Sequence, residues 1–176
     1  MIYPFFCASL PTLLPGVPPE LSVEDFDASA QEYLSAADFA ALISIDSKNP
    51  AEYSVEIYRK LREFQDYLKW KIALLRSERL KRSDRFTPPD EFFGEVDFAI
   101  PILAAAEPVE REKLLDALIF QKLDELEIFH EMDLTALCIY RLKLGILQKY
   151  AKWNEINGKN NFEAALEKLA ADFNEL

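Results

Sequence analysis

The chain has 176 residues and a mass of 20.3 kDa, is 50% hydrophobic and 12% aromatic, and carries a formal net charge of −11. That apolar content excludes disorder, and a chain of this length buries about 70% of its unfolded surface. The acidic balance argues against general nucleic-acid or anionic-membrane binding, and with only 4 glycines the many tight turns of an all-β chain are not expected.

The opening MIYPFFCASLPTLLPG is apolar but has no basic flank and is broken by Pro4 and Pro11. Neither a signal peptide nor a membrane span is expected there. IYPFFCASL reads as extended or as a short helical turn, and TLLPGVPPEL as a loop. Ser22, with Asp25 three residues on, marks a capped helix start that carries to Leu34. Ser35 caps a second helix ending near Ser44. After the turn ISIDSKNP, Asn49 and Pro50 read as a cap and a first helical position, which predicts a helix from there to Ser83. Ile57, Leu61, Phe64, Leu68 and Leu75 recur along it at helical spacing, with Tyr58 and Ile72 widening the stripe.

Pro88, Pro89, Pro101 and Gly94 break the pattern between Asp84 and Glu107. Phe86, Phe92, Phe93 and Phe98 give this crossover enough apolar matter to pack down, with a short helix expected at Asp90–Phe93 or Ile100–Ala106. Glu107-Pro108 then opens two long helices end to end, PVEREKLLDALIFQKLDELEIFHEM and DLTALCIYRLKLGILQKYAKWNEIN, with Asp133 placed to cap the second. On a wheel of that second helix, Leu137, Tyr140, Leu144, Leu147 and Ala151 form one stripe. Ile139, Leu142, Ile146, Tyr150 and Trp153 form another beside it. The apolar arc spans roughly 200°, wider than a helix lying on one surface needs, so this helix is expected to be packed from two sides at the centre of the fold. Gly158 ends it, and Asn160 or Asn161 caps a last amphipathic helix carrying Phe162, Ala165, Leu166, Leu169 and Phe173. The fold class expected is all-α: one domain, 1–176, built as a helical bundle of about five to seven helices with long central helices and a proline-rich crossover. Its parts are an apolar N-terminal segment (1–21), a first helical half (22–83), the crossover (84–107) and a second helical half (108–176).

Charge is unevenly spread. From Arg59 to Arg85 there are ten Lys or Arg against four Asp or Glu, and the rest of the chain is strongly acidic. The run Arg76, Arg79, Lys81, Arg82 and Arg85 closes a long helix, where cations complement the helix dipole. Its other reading is electrostatic docking onto an acidic partner. Lys143 falls inside the apolar arc of the central helix. Such a lysine most often snorkels to the helix edge, and otherwise pairs with a carboxylate from another helix and fixes register. Acid pairs such as Asp124/Glu127 read as a solvated helix face.

Chemistry finds little footing. Glu127-x-x-His130 has the spacing of di-iron bundles, but those sites need the motif twice and this chain has one histidine. A zinc His-Glu-x-x-His would need histidine where Leu134 stands. No nucleophile elbow, Walker A sequence or Gly-x-Gly-x-x-Gly occurs. No catalytic residue, metal site or cofactor is assigned, and an enzyme is not expected. Cys7 and Cys138 form no Cys-x-x-Cys pair and read as reduced structural thiols in a cytoplasmic protein.

Three stretches in order carry a family resemblance. They are Tyr3-Pro-Phe-Phe-Cys-Ala-Ser-Leu-Pro11, then Glu107-Pro-Val-Glu-Arg-Glu-Lys-Leu-Leu-Asp116 with Leu123-Asp-Glu-Leu126, and last Met132-Asp-Leu-Thr-Ala-Leu-Cys-Ile-Tyr140-Arg-Leu-Lys143-Leu with Gly158 and Phe162 after it. Together they resemble a bacterial family encoded alongside V-type (vacuolar/archaeal-type) rotary ATPase subunits, with Met132 standing where that family has an aromatic. The resemblance implies a counterpart of the V-type ATPase C subunit, also called the d subunit. That is a helical, non-catalytic piece seated between the central stalk and the membrane proteolipid ring. It implies other rotary ATPase subunits as partners, a place on the inner face of the membrane without insertion into it, no nucleic acid, and no catalytic residues to carry over. The second reading is an unrelated acidic helical adaptor or regulator that dimerises through an exposed helix face.

Overall fold

The structure, a computed structural model, describes residues 2–47, 49–82 and 86–152. Among them are seven α-helices and no β-strand, so the all-α expectation holds. The expected last helix from Phe162 to Phe173, with Trp153, Gly158 and Arg85, lies outside the described residues.

The apolar opening resolves as a short helix, α1 (Pro4–Ser9), which buries Phe6 and leaves Phe5 exposed. Serine caps set the next two. Ser22 Oγ accepts from the Asp25 amide and starts α2 (Val23–Tyr33), and Ser35 Oγ accepts from the Asp38 amide and starts α3 (Ala36–Ile43).

The expected start at Asn49-Pro50 is wrong by six residues. Asn49 does cap, its Oδ1 accepting from the Ala51 amide at 3.1 Å, but it caps only a 3₁₀ turn, Pro50–Glu52. Glu52 folds back onto Ser47 and Asn49. The chain then runs extended so that Val55 is buried and the Ser54 amide donates to Ser44 Oγ. The long helix α4 therefore begins at Glu56 and ends at Arg79. Its end is also earlier than Ser83. Lys81 takes a left-handed φ of 52° so that its amide donates to the Glu78 carbonyl and the Arg82 amide to the Ser77 carbonyl. This is a Schellman closure with lysine in the position usually held by glycine.

The crossover packs down on α4. Phe93 sets its ring edge against Phe64 and Tyr67, and Asp97 accepts from Tyr67 and from Lys71 Nζ at 2.8 Å. Of the two expected helix positions, the second is occupied, by a 3₁₀ stretch Gly94–Ala99 running into α5 (Ile100–Ala105).

Next, α6 (Pro108–Glu127) is shorter than the sequence predicts. The chain leaves the helix before Met132 because the N-terminal residues hold the corner. Met132, at φ 57°, turns its carbonyl to accept from the Tyr3 amide at 2.6 Å, and Ile2 pairs antiparallel with Asp133. Asp133 then caps α7 (Leu134–Lys152) as expected, its Oδ1 accepting from the Ala136 amide at 2.8 Å.

Two apolar clusters result. One gathers Phe6, Phe26, Leu42, Tyr58 and Leu61 around Leu137, Ile139 and Leu144 of α7. The other gathers Phe64, Tyr67, Leu68 and Ile72 of α4 with Val96, Ile100 and Leu103. Each such side chain taken out of water contributes about 1.5–3 kcal/mol, and α4 spans both clusters. From Asp133 to Tyr150 every residue of α7 and its cap is buried or half-buried, and exposure returns only at Ala151. The wide apolar arc thus marked a helix covered on all sides.

Candidate functional site

A helix enclosed this fully has to dispose of its charges, and three cations of α7, Arg141, Lys143 and Lys149, are each held between two carboxylates. Arg141, its side chain 9% exposed, makes a two-pronged contact with Asp27 of α2 (Nε–Oδ1 2.7 Å, Nη2–Oδ2 2.8 Å). A second contact reaches Asp46 after α3 (Nη2–Oδ2 2.7 Å, Nη1–Oδ1 3.3 Å). Planar guanidinium donors match two carboxylates in a way an ammonium cannot. Burial alone would lower the Arg141 pKa, but the two aspartates outweigh it and raise it above the ordinary value.

Arg141 and Lys143 lie about 200° apart on the helix, so Lys143 points the other way, to α6. Its Nζ pairs with Asp124 (2.6 Å) and with Glu127, and sits 5.4 Å from the centre of the Phe120 ring. Snorkelling, the commoner fate, is not what happens here. Asp124 and Glu127 are likewise not an idle solvated pair but the counter-charges of this lysine. Further along, Lys149 bridges Glu112 (2.7 Å) and Asp116, and Asp116 also accepts from the Tyr150 hydroxyl at 2.6 Å. Burial would lower the Lys149 pKa, and its two acids raise it instead. Gln148 completes the set, accepting from the Val23 amide at the start of α2 and donating to Glu24. These contacts tie α7 to α2, the turn after α3, and α6.

Sequence reasoning singled out Lys143 and passed over Arg141. A signal was present: Arg141 lies about 40° from Leu137 on the wheel, beside Leu134 and Cys138, which close the arc on that flank. Cys138 is fully buried, and burial pushes its thiol up to about 11. Cys7 is half-buried, its thiol also raised by burial, and both thiols are free.

His130, at the α6–α7 corner, faces Asp133 (Nδ1–Oδ2 2.8 Å) and not Glu127. Burial would raise the Asp133 pKa, but His130 and the Ala136 amide hold it below the ordinary carboxylate value. Among the described residues no three His, Cys, Asp or Glu come together as a metal site. An apolar groove of about 350 Å³ lies between α6 and α7, lined by Phe120, Ile146, Leu147 and Tyr150 with Pro15 and Lys113 at its edge. Among the described residues the acid on its wall is Asp116, which is taken up by Lys149 and Tyr150.

The basic run of α4 behaves differently from α7. Four earlier cations of that helix are neutralised, Lys60 by Glu56, Arg62 and Lys69 by Asp66, and Lys71 by Asp97, while Arg59 is exposed and makes no ion pair among the described residues. Arg79, Lys81 and Arg82 are exposed, Arg76 is half-buried, and among the described residues none of the four makes an ion pair. Leu80, at 65% exposure, stands in their midst. At the α6–α7 corner a second surface gathers Ile128, Phe129 and Met132, with Ile2 and Phe5 brought alongside by the Ile2–Asp133 bridge. Phe129 and Phe5 are 89% and 86% exposed. Glu131 is exposed at this corner, while Asp124 and Glu127 on the last turn of α6 are taken up by Lys143.

Among the described residues no helix is long and apolar enough to cross a membrane. Comparison with protein-family models, with curated proteins and with solved structures returns no match for the chain.

Proposed function

We propose that this chain is a non-catalytic peripheral component of a V/A-type rotary ATPase, similar to the C subunit of V-type ATPases, linking the central stalk to the membrane proteolipid ring. One observation carries the reading. The first of the three segments that resemble the ATPase-associated family is remote in sequence from the other two and lies against the third, which packs on the second. The Tyr3 amide donates to the Met132 carbonyl at 2.6 Å, the Tyr140 hydroxyl to the Pro11 carbonyl at 2.9 Å, and Lys143 of the third segment pairs with Asp124 of the second.

In this role the work is mechanical. A spacer between stalk and ring needs a body that does not yield and surfaces that dock. The enclosed, ion-clamped α7 supplies the first, and the unneutralised cations at the end of α4 supply a docking face for an acidic partner protein of the complex. Proton or ion transport would belong to the complex and not to this chain.

The test is recovery of the membrane-bound rotary complex with tagged protein. Reversal of Arg79, Lys81 and Arg82 to Glu is expected to abolish co-purification while the isolated protein still melts cooperatively, at a cost of about 1–3 kcal/mol for acids set at a helix C-terminus. Failure of the wild-type chain to co-purify leaves the second reading, a stand-alone acidic adaptor acting through protein contacts, for which the exposed corner at Phe129 speaks.

A further inference from the structure

We infer that residues 161–173 of this same chain lie across α6 and cross it at Ala117, between two apolar grooves. The first is the groove between α6 and α7 lined by Phe120, Ile146, Leu147 and Tyr150. The second, of about 190 Å³, lies between α5 and α6 and is lined by Phe98, Ile102, Leu114 and Leu118. Ala117 lines both, as a small, exposed ridge between them. Phe98 and Ile102 are 72% and 56% exposed on the far wall. Lys113 at the near edge is exposed and makes no ion pair among the described residues. Contiguous exposed apolar surface with a charged edge marks a docking site.

The occupant lies outside the described residues, and its sequence selects it. At 100° per residue Phe162, Ala165, Leu166, Leu169 and Phe173 fall within an arc of about 100°, a face that needs an apolar partner. Phe162 and Phe173 are about 17 Å apart along a helix, while α6 with its side chains is about 10–12 Å across, so the face reaches past both sides of α6. Glu163 borders that face, opposite in sign to Lys113. The connection is also right. Tyr150 of the near groove is two residues from the end of α7 at Lys152. Nine residues separate Lys152 from Phe162, a reach of up to about 30 Å, and Gly158 among them eases a reversal of the chain. Ile146 lies only about 9 Å back along α7 from Lys152. A tether this short holds the segment at an effective concentration of millimolar order, ahead of a second copy at micromolar concentration.

This inference is independent of the rotary-ATPase reading, and its test uses the purified full chain alone. Hydrogen exchange read by mass spectrometry at micromolar protein is expected to show the amides of 162–173 protected about tenfold or more over unfolded-chain rates. Ala117→Glu sets a charge on the ridge and is expected to remove that protection, while amides from Leu137 to Leu144 keep theirs and show that the variant folds. Ile102→Lys, on the exposed far wall, is a second groove variant expected to act in the same direction. Leu169→Asp, on the segment itself, is expected to shift the methyl resonances of Ile102 and Ile146 and leave those of Ile57 in place. Unprotected amides across 162–173 overturn the inference. So does protection that survives both groove substitutions, which would place the segment elsewhere, or protection lost on dilution, which would make a second copy the neighbour.

Discussion

Three cations on α7 and four near the end of α4 meet opposite fates. Arg141, Lys143 and Lys149 are drawn into the fold, each between two acids that come from other elements. Arg76, Arg79, Lys81 and Arg82 find no acid among the described residues. Residue type does not separate the two groups, since both mix lysine and arginine. What separates them is coverage: α7 is packed on every side from Asp133 to Tyr150, while among the described residues the end of α4 is exposed from Glu78 on, with Arg76 half-buried just before it. A cation on a covered helix must be neutralised or the helix cannot be covered. A cation on an uncovered end carries no such demand, so it is free for a partner.

The largest expected break in this contrast comes from Arg141→Ala. It leaves the partly buried Asp27 without its cation and empties the packed space of the Arg141 side chain beside α7, and should cost about 3 kcal/mol in denaturant unfolding. Lys143 sharpens the point, because its two outcomes differ by design. Lys143→Glu places a third carboxylate beside Asp124 and Glu127 and should cost about 3 kcal/mol or more. Lys143→Met keeps the stem over Phe120 and frees two half-exposed acids, for a loss of about 1 kcal/mol or less. Equal losses for the two would mean that the ion pair holds α6 on α7 by charge alone.

Smaller effects run the other way. Lys81→Gly relieves the left-handed φ at the end of α4 and should stabilise by about 1 kcal/mol. Gly145→Ala on α7 should add about 0.5–1 kcal/mol from helix propensity, since a methyl group there meets nothing within 4 Å. Both are read from the same unfolding curves.

Much of this fold was legible because its signals are local. The caps at Ser22, Ser35 and Asp133, and the Glu107-Pro108 start, each act within one helical turn, so the residues that decide them are adjacent in the sequence. The width of the α7 arc was also a local count, and it forecast the enclosure. Where sequence reasoning failed, the deciding partner was remote. Asn49-Pro50 has all the marks of a helix start, yet the gain from burying Val55 and bonding Ser54 to Ser44 ends the turn at Glu52. The end of α6 depends on Tyr3, more than 120 residues away in sequence. Asp124 and Glu127 looked like solvated acids because the lysine that claims them is on the next helix. The place of Arg141 beside the apolar arc could be read, but its two aspartates could not, as they come from α2 and from the turn after α3.

Native-state hydrogen exchange tests the central claim, that α7 is the enclosed helix about which the rest is arranged, most directly. Amides from Leu137 to Leu147 are expected to exchange only by global unfolding, with protection equal to the stability measured by denaturant. Those from Arg76 to Leu80 are expected to exchange far sooner by local opening. Protection in α7 no greater than at the end of α4 would contradict the account.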